Sequence, residues 1–145
     1  MPFAYMGKIL WVDLSSGQLW DEEIDEATYQ SFLGGYGLGA KIIFDRQPAN
    51  TDPLGPEAII GFATGLLTGT GAPFSGRYMV VGKSPLTGTW GDANSGGHFS
   101  PMLKKTGYDA VFVKGVSSQP VMLVINGGKA ELADAEFAWG KDCVE

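Results

Sequence analysis

Short apolar runs broken by glycine, proline and serine set the pattern of this chain, and they predict more strands than helices. Residues 8–14 read as a strand, Ser15, Ser16 and Gly17 as a turn, and a second strand starts at Gln18. Ile24 and Asp25 mark a helix start: Asp25 can cap the free N–H groups, and Ile24 can staple onto Tyr29. Tyr29, Phe32 and Leu33 are expected on its buried face, with Gly34 at the stop. A second short helix is expected over 38–45, then a proline-rich loop over 48–56.

Strands are predicted at 58–64 and 77–83, with a long loop over 84–97. Ser100 and Pro101 form a helix opening, cap then proline, and Gly107 closes that helix. Strands at 109–114, 121–126 and 129–134 finish the pattern, the last two meeting at the hairpin signal Asn126-Gly127. The pattern contains no internal repeat. Recurrent hairpins predict a mainly antiparallel sheet, hence an α+β fold and not a doubly wound parallel one. The last residues, 139–145, look like a turn and a cap with no helix after them, as if the domain belonged to something larger.

Composition narrows the class. At 145 residues the chain fits one domain, and 44% hydrophobic against 18% charged residues excludes extensive disorder. The longest apolar stretch, 58–67, is about half a membrane span and holds Gly61 and Gly65. The N-terminus lacks the layout of a secretion signal. A single Cys excludes an internal disulfide and any cluster built from several thiolates of this chain. The expectation is a cytoplasmic domain with no membrane partner. A net charge of -6 also argues against nucleic acid.

Charge is unevenly placed. Asp21, Glu22, Glu23, Asp25 and Glu26 form an acidic run, expected as solvated surface. Residues 58–91 hold no Asp or Glu, and 77–114 carry five basic residues against Asp92 and Asp109. Ten of the 22 glycines lie between Gly61 and Gly97, in the same acid-poor region. Tight turns between strands explain many of them; close approach of a ligand to the backbone is the other reading.

Two motifs are decoys. Gly82-Lys83-Ser84 resembles the end of a phosphate-binding loop, but Arg77 stands where its first glycine belongs and Pro85 blocks the helix. The run Gly35-Tyr36-Gly37-Leu38-Gly39-Ala40 satisfies a relaxed dinucleotide pattern, yet a helix precedes it where a strand is needed. A closely packed helix-to-helix turn is the better reading. What remains is a constellation of 64–70, 75–78 and 92–99, which leads into the helix at Ser100. Its glycines and the helix start suit an anion. Arg77 offers a planar fork, and Asn94 offers donors and a carbonyl that magnesium accepts.

The segments GKILWVDLSSG, FLGGYGLGAK, TGLLTGT, SGRYMVVGKSPLTG, DANSGGHFSPMLKKTGYDA and FAWGKD, in this order, resemble the N-terminal domain of the tungsten-dependent aldehyde ferredoxin oxidoreductase family. The resemblance runs essentially from end to end. It implies two β-sheets with short helices, forming a base for a tungsten bis-pterin cofactor, with molybdenum as the alternative metal. It implies pterin contacts from Arg77, Asn94 and Gly96, with Ser95 and Gly97 beside them, and a magnesium ion held through the carbonyl of Asn94. The family oxidises aldehydes to carboxylic acids and passes electrons through a 4Fe-4S cluster to ferredoxin.

No catalytic residue is identified in this segment, and the cluster's cysteines are expected beyond it. Cys143 is read as a small structural residue. The expected partners are the remainder of the catalytic subunit or a companion chain, a ferredoxin-like acceptor and a second copy in a homo-oligomer. Two other functions stay open: a truncated or split-gene module without catalysis of its own, and a binder of a phosphorylated small molecule. His98 is expected as a packing residue at the helix entry, and Met6, Met79, Met102 and Met122 as core fillers. Lys104 and Lys105 are expected to complement their helix dipole and nothing more.

Overall fold

A computed structural model describes residues 4–142. The strands are β1 (Lys8–Asp13), β2 (Gln18–Glu23), β3 (Ile60–Thr64), β4 (Tyr78–Lys83), β5 (Trp90–Ser95), β6 (Ala110–Lys114), β7 (Val121–Asn126) and β8 (Lys129–Asp134). Three short helices, α1 (Glu26–Phe32), α2 (Tyr36–Arg46) and α3 (Phe99–Lys105), and a 3-10 turn at Glu136–Ala138 complete the chain. Six strands form one sheet in the order β2-β1-β6-β3-β4-β5, and β7 pairs with β8 in a second. Only β1 and β6 run parallel; every other pair is antiparallel. The α+β expectation of two mainly antiparallel sheets with short helices is met.

The larger sheet is buried on both faces at its centre, which is why β1 is apolar at successive positions and not only alternate ones. Ile9 and Trp11 join Phe112, Val81, Leu38 and Ile42 beneath α1 and α2. Leu10 and Val12 join Val111, Leu103 and Tyr108 on the other face, where Leu123, Ile125 and Leu132 of the hairpin cover them. Glycines allow the close layers. A Cβ on Gly61 would lie 2.4 Å from Phe112 Cε1, and one on Gly39 would lie 2.8 Å from Val81 Cγ2. The glycine run at the start of α2 is the helix-to-helix turn anticipated, since a Cβ on Gly37 would fall 1.9 Å from Phe32 O.

Several expectations are corrected. Residues 90–95, expected inside a loop, form edge strand β5 in register with β4, Tyr78 opposite Ser95 and Lys83 opposite Trp90. The strand is mostly exposed and rich in Gly, Asp, Asn and Ser, so no apolar alternation announces it. In α1, Asp25 caps as expected, its Oδ1 accepting from Thr28 N at 2.7 Å. Tyr29 alone of the expected face is buried, however. Phe32 and Leu33 are exposed, because Leu33 leaves the helix at φ +58 and takes the stop that Gly34 was expected to provide.

The third helix starts two residues early: exposed His98, not Ser100, stands at its cap with no side-chain bond there, and Ser100 is buried within the helix. Met79 packs on the core, but Met102 and Met122 are exposed. The acidic run is only partly free surface: Asp21 pairs with Lys8, Glu22 accepts from Trp11 Nε1, and Asp25 caps α1. Lys104 does more than face a dipole, since it is buried against Asp109. Cys143 and the last residues of the expected terminal turn lie outside the described residues. Among the described residues, no helix is long and apolar enough to cross a membrane.

Candidate functional site

The β4–β5 hairpin explains how residues far apart in the chain meet. Its register places Asn94 opposite Met79, and alternation along β4 sends Arg77, just before the strand, to the same face as Met79. That face looks toward the start of α2. Arg77 Nε donates to Asn94 Oδ1 at 2.8 Å, and Asn94 Nδ2 donates to Tyr36 Oη at 2.9 Å. Arg77 and Asn94 are therefore side by side, as the sequence suggested; Tyr36 is a third member that it did not. Its only signal was its place in the glycine run, which packing already explained.

The backbone under Arg77 is tightly held. Its carbonyl oxygen accepts from Gly65 N at 3.1 Å and from Ser100 Oγ at 3.0 Å. Thr68 Oγ1 donates to Ser75 O at 2.7 Å. Thr68 and Ser100 are both buried, so these hydroxyls tie the three pieces of the sequence constellation together from below. Above, the surface is open. Cβ atoms built on Gly76 and Gly96 would meet nothing within 4 Å, and neither glycine has a positive φ. Internal packing does not require glycine at either place. Gly97 differs, since its φ of +86 needs glycine for the turn out of β5.

Ser95 closes the strand, and both Ser95 and Gly97 lie at the exposed rim beside Gly96. The terminal nitrogens of Arg77 have no partner among the described residues. The nearby charges are Arg77 itself and Asp92, on the Asn94 face of β5, whose Oδ1 accepts from Trp90 Nε1 at 3.0 Å. Lys104 and Asp109 pair in the interior and bring no net charge to the site. A seven-residue α3 capped by His98 contributes no anion site of its own.

Arg77, with free guanidinium N–H donors, and two open glycines offer a face where an anionic group could approach the main chain. Among the described residues, no group of three or more His, Cys, Asp or Glu is placed to hold a metal ion directly. A hollow of about 1030 Å³ lies elsewhere, between α2 and the opposite end of the hairpin near Phe44, Lys83 and Trp90. None of the site residues lines it.

The chain matches the family described as aldehyde ferredoxin oxidoreductase, N-terminal domain, over residues 9–145, and it belongs to that family. It is 46% identical over 139 residues to the tungsten-containing aldehyde ferredoxin oxidoreductase of Pyrococcus horikoshii, covering 96% of this chain and 23% of that protein. The enzyme of the same description from Pyrococcus furiosus is 44% identical over 143 residues, covering 99% and 24%. An aliphatic sulfonate oxidoreductase, WOR-like subunit, from Pyrococcus furiosus is 34% identical over 148 residues, covering 99% and 23%.

Among solved structures, the active-site complex of benzoyl coenzyme A reductase in complex with 1,5-dienoyl-CoA is similar at a TM-score of 0.95 and 38% identity. That similarity covers 99% of this chain and 22% of the other. The chain thus spans about a quarter of the length of its relatives, which are oxidoreductases.

Proposed function

We propose that this domain is the tungstopterin-binding part of an oxidoreductase that oxidises aldehydes to carboxylic acids with ferredoxin as electron acceptor. One observation carries the reading: a hydrogen-bonded Arg77–Asn94 pair stands between Gly76 and Gly96, whose absent side chains leave open surface. The free terminal nitrogens of Arg77 suit phosphate oxygens or a pterin edge, bound bidentately. Gly96 lets a ring system approach the main chain, while Ser95 and Gly97 shape the rim. Asn94 Oδ1 accepts one bond from Arg77 and keeps a second lone pair, the contact proposed for magnesium.

When bound, the metal group supplies the two-electron redox chemistry, and this chain's residues bind and orient it. A 4Fe-4S cluster needs four thiolates, and the chain has one Cys, so cluster binding is assigned to sequence beyond it. The remainder of the catalytic subunit, or a companion chain, is the proposed partner; a homo-oligomer and a cytoplasmic setting complete the proposal. Tungsten is favoured over molybdenum by the descriptions of the relatives. The aldehyde reading is favoured by 46% and 44% identity to aldehyde enzymes, against 34% to the sulfonate enzyme.

A second reading, reduction of the aromatic ring of an aryl-CoA, is favoured by the structural similarity at 38% identity. The test uses the full-length protein. Arg77→Ala should lower tungsten per polypeptide at least about fivefold by elemental analysis, by loss of a charge-assisted contact. Unchanged tungsten overturns the site. Aldehyde-dependent reduction of an oxidised low-potential dye, with no aryl-CoA-dependent oxidation of the reduced dye, supports the first reading; aryl-CoA-dependent oxidation of the reduced dye, with no aldehyde oxidation, supports the second.

A further inference from the structure

We propose that Tyr36 is a further ligand-binding residue of this site, donating its phenolic proton to an anionic oxygen of the bound group, with Asn94 setting that polarity. The proposal rests on the cofactor-site reading above and adds a residue to it. The argument starts from Arg77, whose side chain has donors and no acceptor. The Asn94 atom at 2.8 Å from Arg77 Nε must therefore be the carbonyl oxygen. That orientation turns Nδ2, a donor only, toward Tyr36 at 2.9 Å.

The phenolic oxygen is then obliged to accept, and its own proton is left over. It donates to no group among the described residues. Asn94 spends Nδ2 on Tyr36 and one lone pair of Oδ1 on Arg77, which leaves Tyr36 O–H and the terminal nitrogens of Arg77 as free donors. Free O–H and N–H donors side by side suit an oxyanion, of which phosphate is the class that the cofactor reading supplies. Asp92, the carboxylate on the same strand face, accepts from Trp90 and is not part of the chain of bonds.

The position of Tyr36 is fixed as a ligand-binding group needs. It is the first residue of α2, between Gly35, with φ +55, and Gly37, where a Cβ would strike Phe32 O at 1.9 Å. Its ring packs against the core beneath α2. Side-chain entropy is thus lost on folding and not on binding.

The experiment follows tungsten release from the purified full-length protein in inorganic phosphate, for wild type, Tyr36→Phe and Arg77→Ala. Tyr36→Phe should release tungsten about tenfold faster, the factor for one hydrogen bond to a charged group. The melting midpoint of its metal-free form should stay within about 2 °C of wild type, since ring packing is kept. An unchanged release rate for Tyr36→Phe beside faster release for Arg77→Ala overturns this proposal and leaves the site reading standing. Unchanged release for both overturns both.

Faster release accompanied by an equally lowered metal-free midpoint reduces Tyr36 to a structural role and overturns the proposal. Should Tyr36→Phe accumulate too poorly to load, Asn94→Asp serves. A carboxylate there draws the phenolic proton to itself, so release should again accelerate about tenfold, and an unchanged rate overturns the polarity.

Discussion

Lys104 and Asp109 meet inside the protein, Nζ to Oδ1 at 2.5 Å, with each side chain only 3% exposed. The other carboxylate oxygen accepts from Met6 N, Gly7 N and Tyr29 Oη at 2.7–2.9 Å. One buried carboxylate thereby joins the segment before β1, helix α1, helix α3 and the start of β6. Removing one partner of such a pair leaves an uncompensated buried charge.

Lys104→Met should therefore cost about 3–5 kcal/mol of stability, measured by urea denaturation. Adding Asp109→Asn should recover part of that loss, since the charge is then gone. A Lys104→Met protein as stable as wild type would show that the remaining three donors suffice.

Two glycines should respond in opposite ways to the same substitution. Gly61→Ala drives a methyl into Phe112 Cε1 at 2.4 Å and Val81 Cγ2 at 2.9 Å, at the centre of the larger sheet. It should destabilise by roughly 1–3 kcal/mol. Gly96→Ala meets nothing within 4 Å and needs no positive φ, so stability should change by less than about 0.5 kcal/mol. Its methyl would occupy the surface assigned to the cofactor, and tungsten content should fall. If Gly96→Ala loads fully, the cofactor does not approach that backbone.

Stability should fall at both ends of the pH scale through one cluster. The Lys8 hydrogen bond, then that of Tyr108, holds the Asp21 carboxyl below its ordinary range. The Asp21 hydrogen bond pushes Lys8 up. Burial first, then Asp21, pushes Tyr108 up. The Asp21 share is present above roughly pH 4 and is lost as pH falls through its lowered value. The Lys8 and Tyr108 shares are full below roughly pH 10 and are lost as pH rises through their raised values.

Lys8 and Asp21 are 33% and 48% exposed, so the pair contributes about half a kcal/mol or less. Asp21→Asn should flatten the acid limb of urea midpoint against pH. It should also shrink the alkaline loss from Lys8, while the burial share of Tyr108 persists. An acid limb unchanged by Asp21→Asn would assign it to other carboxylates.

The legible parts of the fold are those where one local signal suffices. Asp25 announces its cap, and β7 and β8 match the expected bounds to the residue. Their turn places Gly127 and Gly128 at φ +56 and +78, one residue beyond the Asn126-Gly127 centre that was expected. What escaped detection depends on pairing or depth. β5 is a strand because β4 offers it a ladder, not because of its own side chains. Lys104 carries the same local pattern as Lys105, and only the packing of α3 against the sheet and the pairing with Asp109 separate the buried one from its neighbour. Arg77 and Asn94 were singled out by their chemistry in the glycine-rich constellation and again by the family resemblance; Tyr36 was marked by neither, because a residue 58 positions from Asn94 joins it only through the third dimension.

The cradle beneath Arg77 allows two hydroxyls to be ranked. Thr68 Oγ1 supplies Ser75 O at 2.7 Å, and Thr68→Val keeps the shape while deleting that donor. The carbonyl of Ser75 would lose that bond, at about 1–3 kcal/mol. Ser100 Oγ instead supplies Arg77 O, which also accepts from Gly65 N, so Ser100→Ala should cost less, about 0.5–1.5 kcal/mol. Both variants loosen the segment that aims the guanidinium at Asn94, and Thr68→Val acts on both sides of Gly76, since Thr68 Oγ1 also lies 3.3 Å from Arg77 O. Urea denaturation with tungsten analysis of the full-length variants should place Thr68→Val below Ser100→Ala in both measures. The opposite order would mean that the helix side, through Ser100, and not the 64–70 turn, sets the position of Arg77.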